Sequence, residues 1–284
     1  MLASSLVGDQ ELRDLARQYE PERYLTATLA SEPERSALIA LAAYASDLSR
    51  IVAAATQPML GEIRLQWWRD SFEAMDKGAV IGSPIADALG RAIKTYNLPV
   101  PMLIAMSEAR AFDLYDDPMP DQSSLDGYFS KTEAIPFELA LRVLGVTSGD
   151  AVRLSQPAGR VYGMTRLLAQ LPAHLAKGRM PLPLNLLPKG NWTPVTLLED
   201  QGRVAFQSLI TGAVQDIEVT LASLRPQIRA LSPHQRVALL PLACVAPYLR
   251  AIEARKRNPV RDIADLAPLA RVWRIGLAHM LGRL

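Results

Sequence analysis

Helical periodicity runs through most of this chain and limits the folds open to it. Apolar residues recur at helical spacing in segments that are separated by proline-containing breaks. Strand signals are scarce, and no Asn-Gly or Asp-Gly turn joins two alternating apolar runs. The pattern predicts an all-α protein with helices over residues 31–55, 60–77, 85–96, 101–114, 125–144, 150–177, 197–229, 232–256 and 266–284.

The size and charge of the chain further limit the kinds of protein it can be. With 284 residues and 49% hydrophobic content, it can bury a large core. It shows no internal repeat or low-complexity tract, so we predict a single domain over residues 1–284. The net charge of +2 predicts no nucleic-acid binding. The single cysteine, Cys244, cannot form an intrachain disulfide, which agrees with a reducing compartment, and its apolar neighbours predict a packing role.

Targeting and membrane signals are weak. The one candidate span that we find in the sequence is the uncharged run 237–249, which is shorter than the roughly 20 residues needed to cross a bilayer. We therefore expect this run to be a buried helix. The first residues lack a basic stretch followed by a long apolar one, so we expect no signal peptide. A cytoplasmic location follows, with peripheral contact with the inner membrane left open.

Residues 159–183 carry the most specific motif. The segment resembles the second half-site of the squalene/phytoene synthase family, a helix that carries aspartates and a glutamate before a G-R-x-Y-L-P ending. The positions in register with that pattern are Met164, Thr165, Leu167, Leu168, Gly178, Arg179, Leu182 and Pro183. The positions of the family's acidic residues hold Gln170, Ala173 and His174.

The first half-site of the same family resembles residues 42–53. Ser49, Arg50 and Ala53 stand where the family has three aspartates, and Arg50 inverts the charge. Further matches lie at 60–69, 110–113 and 125–128. The form of residues 60–69, L-G-E-I-R-L-Q-W-W-R, is closest to a non-catalytic branch that includes a mitochondrial complex I assembly factor and alphaproteobacterial relatives.

This resemblance implies an isoprenoid synthase-type helical bundle around a central apolar cavity. In such enzymes Mg²⁺ bridges a prenyl diphosphate to carboxylates, because hard cations prefer oxygen ligands. Gln170 offers one neutral carbonyl, Ala173 offers nothing, and His174 offers a nitrogen that Mg²⁺ disfavours. We therefore expect no cofactor and a non-catalytic assembly or scaffold factor, with respiratory complex I subunits or other assembly proteins as partners.

Two alternatives stay open. The first is a prenyl diphosphate transferase with rearranged Mg²⁺ ligands, acting on farnesyl or geranylgeranyl diphosphate. Its metal candidates are Asp113 and Asp117, in the acidic cluster 113–121, although Pro118 and Pro120 favour a solvated loop there and the alignment places it away from both half-sites. The second is an isoprenoid- or lipid-binding protein that keeps the apolar cavity without chemistry.

Other side chains are candidates for ligand contact. Arginine binds phosphate bidentately without a metal, so an anion or phospholipid headgroup is a possible ligand. The candidates are Arg64, Arg69, Arg166, Arg179, Tyr44 and Tyr128. Structural ion pairs are the competing interpretation of the arginines, and His174 is expected to line a pocket or lie at the surface.

Two predicted helices that contain tryptophan are candidates for surface contacts. Trp67 and Trp68 lie about 100° apart around one helix, so one is expected in the core and the other at a partner, a membrane interface or a neighbouring helix. Residues 266–284, which include Trp273, are basic and amphipathic. That pattern is typical of docking on anionic lipid and also of a helix that packs on its own domain.

Overall fold

Helices account for all the regular structure that the computed structural model describes, over residues 2–186, 192–197, 199–254 and 262–284. The α-helices are α1 (Leu2–Tyr19), α2 (Pro21–Ala27), α3 (Glu34–Ala54), α4 (Pro58–Asp76), α5 (Pro84–Tyr96), α6 (Val100–Arg110), α7 (Gln122–Phe129), α8 (Ile135–Val143), α9 (Ser148–Ala176), α10 (Pro194–Leu197), α11 (Asp200–Ala230), α12 (Pro233–Arg236), α13 (Val245–Glu253) and α14 (Pro268–Leu281). Shorter helical segments are the 3-10 turns Ala111–Leu114, Leu184–Leu186 and Val237–Cys244 and the π-helical turn Ser130–Ala134. The all-α prediction is confirmed.

Proline sets many of the helix boundaries. It occupies the first turn of α2, α4, α5, α6, α12 and α14, where its missing N–H costs no helical hydrogen bond. Inside two of the predicted helices it interrupts the α-helical hydrogen bonding, whereas α9 continues through Pro157 and Pro172 and α11 through Pro226. The predicted helix 125–144 contains a π-helical turn just before Pro136, and the predicted helix 232–256 divides into α12, a 3-10 segment around Pro241 and α13.

Helix α3 is the centre of the bundle. It is buried from Ala37 to Leu48 and packs against α1, α2, α5 and α8. In the described part of the chain, α3 is the one helix long and apolar enough to cross a membrane, and 72% of that apolar window is buried inside the protein. Sequence analysis predicted this helix but did not identify it as a candidate span. It pointed to 237–249, which is buried as expected but is mostly a 3-10 segment.

An aromatic cluster joins α3 to α4. Trp68 and Phe72 pack edge-on or tilted around Tyr44, and all three rings are buried. The Trp68 indole donates a 2.9 Å hydrogen bond to Asp47 Oδ2, so its polar atom is satisfied. Trp67 is 42% exposed, which confirms that the two tryptophans divide between core and surface.

Two glycines permit a close helix contact along α9. A Cβ on Gly159 would overlap the backbone of Ala134, and one on Gly163 would overlap the ring of Phe129. Helix α9 therefore lies directly against α7 and the π-helical turn. This contact sets the position of the α9 face that lines the cavity described below.

The core runs from Leu12 to Ala278 and includes Cys244, whose thiol is buried as predicted. Burial raises the pKa of Cys244 to about 12, because the thiolate would lie in apolar surroundings. The residue therefore stays protonated and acts as a packing group.

Candidate functional site

A cavity of about 400 Å³ lies between the C-terminal parts of α3 and α9, and the turn after α6 and the helix α7 complete its wall. Apolar side chains from several helices line its interior, namely Val52, Phe112, Met119, Leu125, Phe129, Leu167 and Met180. Polar and charged groups line the rest. The central apolar cavity that the resemblance implied is thus accompanied by a polar zone.

The α3 wall contains two of the three first half-site positions. Ser49 and Ala53 both line the cavity, since residues four apart share one helix face. Arg50 lies about 100° away from Ser49, and its Nε donates a 3.1 Å hydrogen bond to Asp47. The positive charge expected at this half-site is therefore directed to Asp47 and is not among the groups that line the cavity.

The α9 wall contains all three second half-site positions. Gln170, Ala173 and His174 line the same cavity as Ser49 and Ala53, and Arg166 lies one turn earlier on the same face. The structure thus brings together the two half-sites that sequence reasoning had paired. Their donor set is a hydroxyl, an amide and an imidazole without any carboxylate, and it does not fit a magnesium cluster, which needs anionic oxygen ligands.

The acidic loop after α6 lies at the same cavity, which corrects the expectation that it is distant from both half-sites. Asp113, Asp116 and Asp117 all line the cavity. The reason is tertiary, because the 3-10 turn Ala111–Leu114 redirects the chain toward the end of α9. There Arg179 donates hydrogen bonds to Asp116 Oδ1 at 2.8 Å and to the Asp113 carbonyl at 3.1 Å.

Asp113 is already engaged by neighbouring side chains. Its Oδ2 accepts hydrogen bonds from Tyr128 at 2.6 Å and from Arg110 at 3.2 Å. Within the described residues, no group of three His, Cys, Asp or Glu side chains is arranged to hold a metal ion. Asp113 therefore acts as an internal counter-ion for Arg110.

A buried network of ion pairs lies beside the cavity. Arg166 donates to Glu20 at 2.7 Å, and Arg23 donates to Glu20 at 3.3 Å and to Glu133 at 3.0 Å. Arg110 reaches Glu133 at 3.4 Å and so links this network to Asp113. Helices from distant parts of the sequence are thereby joined through charged groups.

The charges in this network balance. Three guanidinium groups, of Arg23, Arg110 and Arg166, face the carboxylates of Glu20, Glu133 and Asp113. Burial alone would raise the pKa of Glu20, but Arg166 and Arg23 outweigh it and hold that pKa below its usual range. Arg166 is thus already neutralised, so an anionic ligand would compete with Glu20 for it.

Sequence analysis missed the buried charged residues around the start of α2. Glu20, Glu22 and Arg23 lie in a short charged run that resembles a solvated helix start, yet all three are buried. Arg23 stacks at 4.9 Å on the rings of Phe137 and Tyr162. Two tyrosines, Tyr19 and Tyr24, flank the run, but their presence does not indicate that the charged residues between them are buried.

Glu22 anchors a second buried network. Its carboxylate accepts hydrogen bonds from Tyr162 at 3.2 Å and Tyr248 at 2.9 Å, and it pairs with Arg271 of α14 at 2.9 Å. Arg271 also pairs with Asp265. These contacts connect α14 to α2, α9 and α13.

The remaining candidates lie in different places. Arg179 and Tyr128 line the cavity, and their contact with a ligand stays a prediction. Arg64 is exposed, Arg69 pairs with Glu108 in a groove between α4 and α6, and Tyr44 donates to the Leu103 carbonyl inside the aromatic cluster. The structure does not bring Arg64, Arg69 or Tyr44 to the cavity.

His174 lines the cavity as a neutral imidazole at pH 7. Burial lowers the pKa of His174, and Arg179 and Lys177 add to this effect, whereas Asp113 opposes it. The cavity therefore gains no positive charge from this side chain near neutral pH.

Comparison with known proteins places this arrangement in context. The family model described as squalene/phytoene synthase matches residues 16–274. The complex I assembly factor 6 of Homo sapiens is 25% identical over 178 residues, which cover 63% of this chain and 54% of that protein. The presqualene diphosphate synthase of Rhodopseudomonas palustris is 25% identical over 167 residues, covering 58% and 59%. The chain thus spans between half and three-fifths of these relatives' length.

Solved structures show the same fold. A squalene synthase from Alicyclobacillus acidocaldarius superposes with a TM-score of 0.73 at 18% identity, covering 92% of this chain and 97% of that one. A dehydrosqualene synthase superposes with a TM-score of 0.75 at 13% identity, covering 98% of both chains. The similarity therefore extends over nearly the whole helical bundle, including both walls of the cavity.

Proposed function

Because this chain belongs to the squalene/phytoene synthase family, we propose that it keeps the family's helical frame without its metal-dependent chemistry and acts as an assembly or scaffold factor. The observation that carries the proposal is the composition of the two facing walls. Where the family's pattern has acidic residues, the cavity presents Ser49, Ala53, Gln170, Ala173 and His174.

The chemical argument concerns the diphosphate leaving group. Head-to-head coupling of prenyl diphosphates requires that this group depart with its negative charge stabilised, and Mg²⁺ ions supply most of that stabilisation. Neutral side chains cannot hold such ions between themselves and a phosphate. The nearest cation on α9, Arg166, is already paired with Glu20 and does not replace the metal.

The relatives support the choice of partner. Proteins described as complex I assembly factor 6 are 25% to 28% identical to more than 60% of this chain. We propose that this protein likewise assists the assembly of respiratory complex I, through contact with its subunits or with other assembly proteins, at the inner membrane.

Two experiments test the proposal. Purified protein is titrated with a non-hydrolysable farnesyl diphosphate analogue with and without Mg²⁺, and we expect no metal-dependent gain in affinity. In the native host, deletion of the gene is expected to lower assembled complex I without changing the carotenoid or hopanoid content.

A complementation variant sharpens the genetic test. The triple variant S49A/Q170A/H174A removes the polar groups of the two walls, and we expect it to restore complex I in the deletion strain. Loss of a prenyl-derived lipid in the deletion strain, together with failure of this variant to restore it, would show that the cavity performs chemistry.

One observation favours a transferase as the second candidate function. Asp113, Asp116 and Asp117 line the same cavity, and one relative is a presqualene diphosphate synthase. Against it, Asp113 is bonded to Arg110 and Tyr128, and Asp116 is bonded to Arg179. This alternative predicts Mg²⁺-dependent consumption of farnesyl or geranylgeranyl diphosphate by the purified protein, abolished in D113N/D117N.

The apolar lining of the cavity favours an isoprenoid- or lipid-binding role, which is compatible with assembly. A volume of about 400 Å³ is within the range of small-molecule sites. If a lipid occupies it, organic extraction of purified protein followed by mass spectrometry will recover a long-chain lipid. The variant L167W, which fills the cavity from α9, would then recover less, and equal recovery would place the lipid elsewhere.

A further inference from the structure

Helix α14 carries an exposed apolar face. Leu269, Trp273, Leu277, Met280 and Leu281 are between 41% and 72% exposed, and Trp273 is 65% exposed. Large apolar side chains scattered singly on a surface are ordinary, but five on one 14-residue helix form a patch.

The opposite face of α14 fixes the helix to the protein. Ile275 and Ala278 are buried against α2 and the 3-10 segment Val237–Cys244. Arg271 points inward and pairs with Glu22. At about 100° per residue, Trp273 lies on the side opposite Ile275, so the exposed face cannot turn into the core without breaking these contacts.

Charge indicates what covers this face. Residues 266–284 contain no aspartate or glutamate. Arg274 and Arg283 have no carboxylate partner among the residues that the structure describes. Arg274 lies about 100° from Trp273 at the edge of the apolar face, with its Nε buried, and Arg283 is exposed just beyond the C-terminal end of α14. An apolar stripe with an exposed tryptophan and cations at its edge and its C-terminal end matches the requirements of an anionic lipid surface.

A second copy of this chain is a poorer occupant. In a symmetric dimer the same patch would face itself, so the interface would contain the arginines of both copies and no carboxylate from residues 266–284 to pair with them. Like charges brought together in a partly dry interface oppose association.

We propose that the outer face of α14 (Leu269, Trp273, Leu277, Met280 and Leu281) docks on the surface of an anionic lipid leaflet, with its apolar side chains at the level of the headgroups. The inference rests on the proposed function only in the identity of the membrane, which is the inner membrane. Docking itself involves neither the cavity nor a protein partner.

Vesicle flotation tests the docking surface. Purified protein is mixed with phosphatidylcholine vesicles with or without about one third phosphatidylglycerol, and we expect preferential flotation with the anionic vesicles that weakens at high salt. The variant W273Q/M280Q is expected to bind at least about tenfold more weakly, because the apolar area that it inserts is lost. R274Q/R283Q is expected to lose the preference for anionic lipid.

The matched control is W67Q, which replaces the partly exposed tryptophan of α4 and is expected to float like the unmodified protein. Because all the substituted apolar side chains are exposed, thermal unfolding should stay unchanged and report correct folding. The proposal is overturned if the unmodified protein does not float, if W67Q weakens flotation as much as W273Q/M280Q, or if W273Q/M280Q instead abolishes a dimer or capture of an acidic protein. Normal flotation of the purified protein, together with unchanged complex I in the deletion strain, would reject the proposed function and leave the docking proposal standing.

Discussion

Glu20 at the start of α2 accepts a 2.7 Å hydrogen bond from Arg166 of α9, so a carboxylate 146 residues away in sequence neutralises the arginine one turn before Gln170. Glu20 is 1% exposed and also accepts from Arg23. The pair neutralises Arg166, so this cation of the α9 wall adds no net positive charge to the cavity.

Replacement of Glu20 is expected to destabilise the protein strongly. E20Q leaves the guanidinium groups of Arg166 and Arg23 buried with one carboxylate fewer, and breaking a buried pair in this way costs about 3–5 kcal/mol. Urea unfolding followed by circular dichroism measures the loss. The control D14N removes a pair between exposed side chains and is expected to change stability by less than about 0.5 kcal/mol. Equal effects of the two variants would contradict a buried network.

The same pair predicts an acid-sensitive contribution to stability. The folded-state pKa of Glu20 is held below its ordinary value of 4.5 by Arg166 and Arg23, against the effect of burial. The contribution is therefore complete above pH 4.5 and is lost as the pH falls through the folded pKa.

Urea unfolding at a series of pH values from about 6 down to 3 checks this prediction. The stability of the unmodified protein should fall over the acid range, and E20Q should show a shallower fall because it lacks the titrating group. Parallel pH profiles for the two proteins would show that other carboxylates account for the acid sensitivity.

The glycine contact between α9 and the π-helical turn is expected to be intolerant of any side chain. G159A would place a methyl group against the backbone of Ala134, which has no flexible side chain to move aside. Overpacking of this kind typically costs about 1–3 kcal/mol.

The matched control for that prediction is G212A in α11, where a Cβ meets nothing within 4 Å. There the better helix propensity of alanine is expected to stabilise the protein by up to about 1 kcal/mol. Thermal or urea unfolding of both variants gives the comparison, and equal midpoints would show that α9 and the π-helical turn separate easily.

Restoring carboxylates to the two walls is expected to create metal affinity. The variant S49D/A53D/Q170D/H174D places four carboxylates around one cavity, at positions that the structure shows to face it. We expect calorimetry to detect Mg²⁺ binding to this variant alone, since paired carboxylates supply the ligands that Mg²⁺ prefers. The neutral variant S49N/A53N/Q170N/H174N controls for side-chain size. Mg²⁺ binding by the unmodified protein with similar affinity would contradict the proposed loss of the metal site.

The helical class and the division of Trp67 and Trp68 between surface and core followed from spacing within one segment, because a helix places residues three and four positions apart on the same face. The two half-sites followed from the resemblance to the squalene/phytoene synthase family. The boundaries were less predictable where proline changes the hydrogen-bonding pattern, as at Pro136 and Pro241.

Tertiary structure alone decided which charges meet. The sequence offered no signal that Glu20 lies beside Arg166 or that the loop of Asp113 closes over the end of α9. Local periodicity states which side of its own helix a residue occupies, but the partner opposite it depends on how distant helices pack. Charge compensation in a buried site acts over a few ångströms in space, and separation along the chain carries no information about it.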